Sequence, residues 1–200
     1  MIRHTLRRAA LATATLALGA CAALPPAGND WTPLYDHGVN LNDWTQVGDA
    51  NWRIQGRMLA ADLLRGTAPA YLVSKKTFRD FEIHAEFWVD AQTNSGIFIR
   101  CVDPAKIDAE RCYEVNIWDT RPDPSYGTGA IVNVAKVSPM PTAGGRWSTM
   151  RITARGERLT VTLNGQVSVD VSDRRLSAGH VALQYGSGTL RFRRVLIRPL

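Results

Sequence analysis

Three short runs of this 200-residue chain bring carboxylates, a guanidinium, an amide and indoles into a pattern able to do acid–base work. Asp80 to Val89 reads DFEIHAEFWV, Gly96 to Arg100 reads GIFIR, and Tyr113 to Asp119 reads YEVNIWD. Each alternates apolar and polar residues, the period of a half-buried strand. With Phe81, Ile83, Ala85, Phe87 and Val89 turned into a core, Glu82, His84, Glu86 and Trp88 turn out of the sheet. The same count sends Ile97 and Ile99 in and Phe98 and Arg100 out. It also sends Tyr113, Val115 and Ile117 in, and Glu114, Asn116 and Trp118 out. If these strands are sheet neighbours, Glu86, Glu114 and Arg100 share one surface, where the arginine keeps one glutamate ionised while the other titrates higher. A solvated face with ordinary cross-strand ion pairs gives the same alternation.

The elements that must position these side chains are all strands. Beyond the three runs, Met150 to Ala154, Leu159 to Leu163, Val167 to Val171, His180 to Tyr185 and Leu190 to Arg198 have strand character. Asn164-Gly165 between two of them is the strongest hairpin signal in the chain. No long helical periodicity intervenes, so crossover helices are absent from the pattern. Many antiparallel strands with one apolar face each imply two packed sheets, and the expectation is an all-β jelly-roll β-sandwich. Trp31, Trp44, Trp52 and Trp147 read as core or sheet-edge packing, His180 as an exposed strand residue, and Arg191, Arg193 and Arg194 as a solvated basic edge.

A composition of 45% hydrophobic and 21% charged residues describes an ordinary folded chain. Its first twenty residues read as a targeting segment: Arg3, His4, Arg7 and Arg8 precede an apolar stretch from Ala9 to Ala20 that is too short for a spanning helix. The ending Leu18-Gly19-Ala20-Cys21 resembles the lipobox of bacterial lipoproteins, which implies lipidation of Cys21 and attachment to the cell envelope; Ala22 after it points to the outer membrane. Residues 21–30 then form a tether and residues 31–200 one domain. Loss of Arg3, Arg7 and Arg8 lowers Lys+Arg from 24 to 21 against 18 acids, so the net charge falls from +6 to +3. With only Lys75, Lys76, Lys106 and Lys136 as lysines and no basic helix, nucleic-acid binding is not expected.

Export would place Cys101 and Cys112 in an oxidising compartment, where a disulfide can close the polar segment between them. Strand parity opposes this pairing, since Cys101 counts as inward and Cys112 as outward; a bulge would repair the mismatch.

An ordered set of short blocks resembles the 3-keto-disaccharide hydrolase domain family. The blocks are Leu34-Tyr35-Asp36 through Leu41-Asn42-Asp43-Trp44, Trp52-Arg53-Ile54 with Gly56, Asp80-Phe81-Glu82 with Glu86-Phe87, and Asn94 to Arg100. Tyr113-Glu114-Val115 with Asp119, Gly129-Ala130, Trp147, Leu163-Asn164-Gly165 and Phe192 to Val195 complete it. His37 and Asn116 depart from the family pattern, as does the cysteine-bearing loop. The resemblance implies a concanavalin A-like sandwich and a carbohydrate ligand whose C3 hydroxyl has been oxidised to a ketone. That ketone acidifies the C2 proton and sets the glycosidic oxygen β to a carbonyl, so a base can drive elimination before water adds. In this scheme Glu114 or Glu86 is the base and Arg100 holds the carbonyl oxygen. Asn116 and His84 orient hydroxyls, Trp118 or Trp88 stacks on a sugar ring, and Asp119 with Arg121-Pro122-Asp123-Pro124 either lines a pocket rim or forms a rigid acidic loop. A divalent cation could assist as Lewis acid, but the sequence shows no cation loop. A non-catalytic carbohydrate-binding lipoprotein and a structural envelope protein are the alternatives.

Overall fold

The computed structural model describes residues 30–38 and 40–200; the targeting segment, Cys21 and most of the tether lie outside them. Among the described residues thirteen strands form: β1 (Thr32–Asp36), β2 (Trp44–Val47), β3 (Asn51–Gln55), β4 (Met58–Asp62), β5 (Ala70–Phe78), β6 (Phe81–Val89), β7 (Asn94–Cys101), β8 (Tyr113–Ile117), β9 (Trp147–Arg155), β10 (Arg158–Leu163), β11 (Gln166–Ser172), β12 (Gly179–Ser187) and β13 (Leu190–Pro199). A single 3-10 turn, Pro124–Tyr126, is the only helical element among them.

The strands make two antiparallel sheets. One runs β11-β10-β9-β6-β13-β4-β3 with β1 also on β13, and the other runs β2-β5-β12-β7-β8. The inward residues of both fill one core: Phe81, Ile83, Ala85 and Phe87 from β6 meet Ile97, Ile99, Tyr113, Val115 and Ile117 from β7 and β8. Alternation therefore reads the inward faces of these strands correctly. The Asn164-Gly165 hairpin forms as its sequence demands, both residues having positive φ between Leu163 and its partner Gln166.

Two arrangements differ from the sequence expectation. β6 and β7 are consecutive in sequence but lie in opposite sheets, because the connection between them turns across the sandwich instead of closing a hairpin. And β13, expected as a basic edge, is an interior strand between β6 and β4, its Arg193 and Arg194 neutralised by acids of the same sheet.

The free side of β8 is also covered. The Asn116 amide and the carbonyls of Glu114 and Asn116 bond residues 129–132, so this segment acts as a further rung at the edge of the five-stranded sheet.

Candidate functional site

The outward face of the eight-stranded sheet holds a closed ionic network. Glu82, His84 and Glu86 are all nearly inaccessible there. Glu86 accepts from Arg193 and Arg194 and contacts the His84 ring, while Glu82 accepts from Arg198 and pairs with Arg151. Burial works to raise the Glu86 carboxyl, but hydrogen bonds from His84 and Arg193 and the two arginine charges bring it to about 2. A carboxylate so committed is a poor proton acceptor at neutral pH. Trp88 lies under the Arg191 guanidinium, 5.3 Å from ring centre to charge. Glu86, His84 and Trp88 thus do not join Glu114: the two sheets themselves stand about 10 Å apart, and these side chains point away from each other on their outer faces.

Arg100 also leaves the expected site, and the cause is a bulge. Along the pairing of β12 with β7, His180 faces Cys101 and Ala182 faces Phe98, so β7 spends three steps where β12 spends two. Arg100 absorbs the extra residue with φ of +53°. The parity shift turns Cys101 to the outer face beside Cys112, and their sulfurs are bonded. It also swings Arg100 to the end of the sandwich, fully buried. There its guanidinium donates to the carbonyl oxygens of Arg79, Gly156 and Leu176 at 2.8–3.0 Å and to the Asp80 carboxylate at 3.2 Å. Gly179 packs against this bend so closely that a Cβ would stand 2.4 Å from the Arg100 carbonyl carbon. Arg100 is a clasp between loops.

What remains is the outward face of the five-stranded sheet. Register places Thr45, Val73, Ala182, Phe98 and Glu114 in one row across it, and Val47, Tyr71, Gln184, Gly96 and Asn116 in the next. Phe98, Tyr71, Val73, Ala182 and Ile107 form a small apolar patch with the disulfide. Glu114 stands at its border. Burial pushes the Glu114 carboxyl up to about 7, and only the charge of Arg121 pulls the other way. Arg121 itself rests over the Trp118 ring at 5.4 Å. Tyr71 packs edge-on to Phe98 at 5.4 Å; burial raises its hydroxyl, the Gln184 side chain opposes this, and the charges of Glu114 and Asp108 add to it.

The second row is tightly packed at Gly96, where the neighbours leave no room for a side chain. A Cβ there would come within 3.2–3.4 Å of the Val115 carbonyl, the Phe98 ring and Gln184 Oε1. On either side stand two buried amides, each with an oxygen lacking any hydrogen-bond partner: Gln184 Oε1 and Asn116 Oδ1. Asn116 Nδ2 donates to the Tyr126 carbonyl at 2.7 Å, which fixes the orientation of its amide. Unpaired buried acceptors are costly unless a ligand supplies donors. Asp119 plays a different part, accepting from Thr128 Oγ1 and from the amides of Ala143 and Gly144 to fasten the loops. No group of three or more His, Cys, Asp or Glu side chains gathers as a metal site among the described residues.

Of the expected residues, then, Glu114, Asn116 and Trp118 come together, Asp119 braces the loops beside them, and Glu86, His84, Trp88 and Arg100 lie elsewhere. Sequence reasoning missed Tyr71 and Gln184, placed Arg121 on a rim loop without a role, and read His180 as exposed although it is half-buried. Alternation within AYLV at the start of β5 would have exposed Tyr71, and within His180–Gln184 would have exposed Gln184. Nothing in a local pattern marks Arg121.

The family described as the 3-keto-alpha-glucoside-1,2-lyase-like domain matches residues 30–198. No curated protein sequence matches the chain. Among solved structures, a candidate glycosyl hydrolase from Parabacteroides distasonis ATCC 8503 is 23% identical with a TM-score of 0.68, covering 86% of this chain and 100% of its own. The carbohydrate-binding module CBM66 from Bacillus subtilis is 17% identical with a TM-score of 0.60, covering 78% and 95%. A Bacillus subtilis protein with a galectin-like fold is 13% identical with a TM-score of 0.58, covering 79% and 90%. At these identities the likeness establishes the sandwich fold and no more.

Proposed function

The chain belongs to the 3-keto-alpha-glucoside-1,2-lyase-like family, and we propose from this premise that it cleaves 3-keto-glycosides on the outward face of its five-stranded sheet. The observation that carries the reading is Glu114: a carboxyl raised to about 7 by burial and free of a hydrogen-bonded ion pair among the described residues, at the border of the apolar patch on this face. A base of that strength is matched to neutral pH. Glu114 takes the C2 proton, and the C2–H electron pair becomes the C1–C2 double bond as the C1–O bond breaks. The aglycone leaves with that oxygen and the C1–O electron pair, and takes up the proton that Glu114 removed, so it departs as an alcohol. Water then adds across the double bond, oxygen to C1 and hydrogen to C2, so the net change is hydrolysis.

Charge that gathers on the ketone oxygen during proton removal needs a donor. With Arg100 committed to backbone carbonyls, Arg121 takes this role, its guanidinium acting on Glu114 from the Trp118 ring. Lipidation of Cys21 would hold this domain at a bacterial membrane. Glu114→Gln tests the assignment: turnover of a 3-keto-glycoside should fall at least ~100-fold while ligand binding survives. Sugar binding without turnover by the parent protein would support the non-catalytic carbohydrate-binding reading instead.

A further inference from the structure

A cavity of about 350 Å³ opens on the same outward face, away from Glu114. Its floor is Val47 and Val73, its far wall Pro104 and Ala105 from the loop that the disulfide closes, and its rim Lys75 and His180. Val73 lies in the same cross-strand row as Glu114, three strands away, so about 14 Å separates them at ordinary strand spacing. A two-part ligand with its sugar at Glu114 would bring its other part toward this cavity, across Ala182 and Phe98.

The lining decides what that other part is. A second sugar presents hydroxyls around its whole ring, and Val47, Val73, Pro104 and Ala105 offer them nothing. The polar lining is Thr45, Ser74, Lys75 and His180, and the Ser74 hydroxyl is already engaged, donating to the Lys76 carbonyl and accepting from the Val181 amide. His180 Nδ1 lies 2.7 Å from the Ser74 carbonyl oxygen, so that nitrogen carries the proton and Nε2 is left as an acceptor. The Lys75 ammonium has no hydrogen-bond or ion-pair partner among the described residues. An apolar body carrying an oxygen substituent satisfies both the four apolar residues and these polar groups.

We propose that this cavity is the leaving-group subsite and that it takes an aromatic aglycone carrying a hydroxyl or similar oxygen substituent. The assignment rests on Glu114 as the place of bond cleavage, but the cavity's ligand chemistry can be read independently. The probe is 4-nitrophenol, titrated by calorimetry into the intact protein and into Ala105→Trp, which fills the cavity from an exposed loop position. The parent should bind 4-nitrophenol and the variant at least tenfold more weakly. Absent binding to the parent, or equal binding to both, overturns the proposal.

A second measurement ties the cavity to the leaving group. The ratio of kcat/KM for 4-nitrophenyl over methyl 3-keto-glucoside, compared between parent and variant, cancels intrinsic leaving-group reactivity. That ratio should drop at least tenfold in Ala105→Trp; an unchanged ratio removes the leaving-group role. If the parent turns over neither substrate, the cleavage reading and the leaving-group role fall together, while 4-nitrophenol binding still decides the cavity's ligand chemistry.

Discussion

The two glutamates expected to work together are held in opposite protonation regimes, and each makes a stability prediction. Glu114 is raised from 4.5 to about 7, so the folded protein holds its proton more tightly than the unfolded chain. Stability is then full below 4.5, declines as pH climbs to 7, and levels off above. Glu114→Gln removes that decline and should be the more stable protein at pH 8, by up to about 3 kcal/mol. Urea unfolding at pH 5 and pH 8 measures it; a gain that does not grow with pH would contradict the raised carboxyl. Glu86, lowered to about 2, has the reverse sign: its contribution is present above 4.5 and is lost as pH falls toward 2. Glu86→Gln should therefore be least stable relative to the parent at neutral pH and converge with it in acid. Arg100 separates a structural from a chemical role. Arg100→Met leaves three carbonyl oxygens unpaired and should cost about 3–5 kcal/mol, the usual scale for breaking a buried ionic cluster. The fraction that remains folded should turn over substrate within a few-fold of the parent.

At the scale of elements, one bulge accounts for what the sequence showed and what it hid. Period-two alternation made the inward residues of β6, β7 and β8 legible, along with the two-sheet sandwich and the Asn164-Gly165 hairpin. Alternation gives each strand's two faces but not its partners, so Glu86 and Glu114 looked like neighbours while β6 and β7 lay in different sheets. It also assumes an unbroken pleat. The residue absorbed at Arg100 reversed the parity of everything after Ile99, which joined Cys101 to Cys112 and withdrew the arginine in a single step. β1 to β4 are only four or five residues long, and only their place in the finished sheets reveals them. The disulfide closes the loop that walls the cavity. Replacing Cys101 and Cys112 together by serine should cost about 2–3 kcal/mol in the chain-entropy picture. Denaturant midpoints of oxidised parent and double variant measure this, and coincident midpoints would mean that the loop is held by its own packing, with Ile107 on the patch.

At the scale of the whole molecule, the ionic face and the face that carries Glu114 point in opposite directions, which would matter for a domain anchored through Cys21. The described chain begins at Asp30, and β1 follows at Thr32 on β13 of the eight-stranded sheet, where Arg198 bonds Asp30. A tether running from Cys21 therefore enters the domain on the sheet remote from Glu114. A lipid on Cys21 would hold the protein near a membrane without drawing the chain across its own site. Single acylation gives marginal binding, whereas the multiple chains of a bacterial lipoprotein would hold it firmly. Cys21→Ser should release the protein from membranes washed with carbonate while its 3-keto-glycoside turnover, assayed in detergent beside the parent, stays the same. A variant that sediments with membranes as the parent does would show that something other than Cys21 holds it there. A released variant with diminished turnover would mean that the anchor, or its distance from Glu114, takes part in substrate capture.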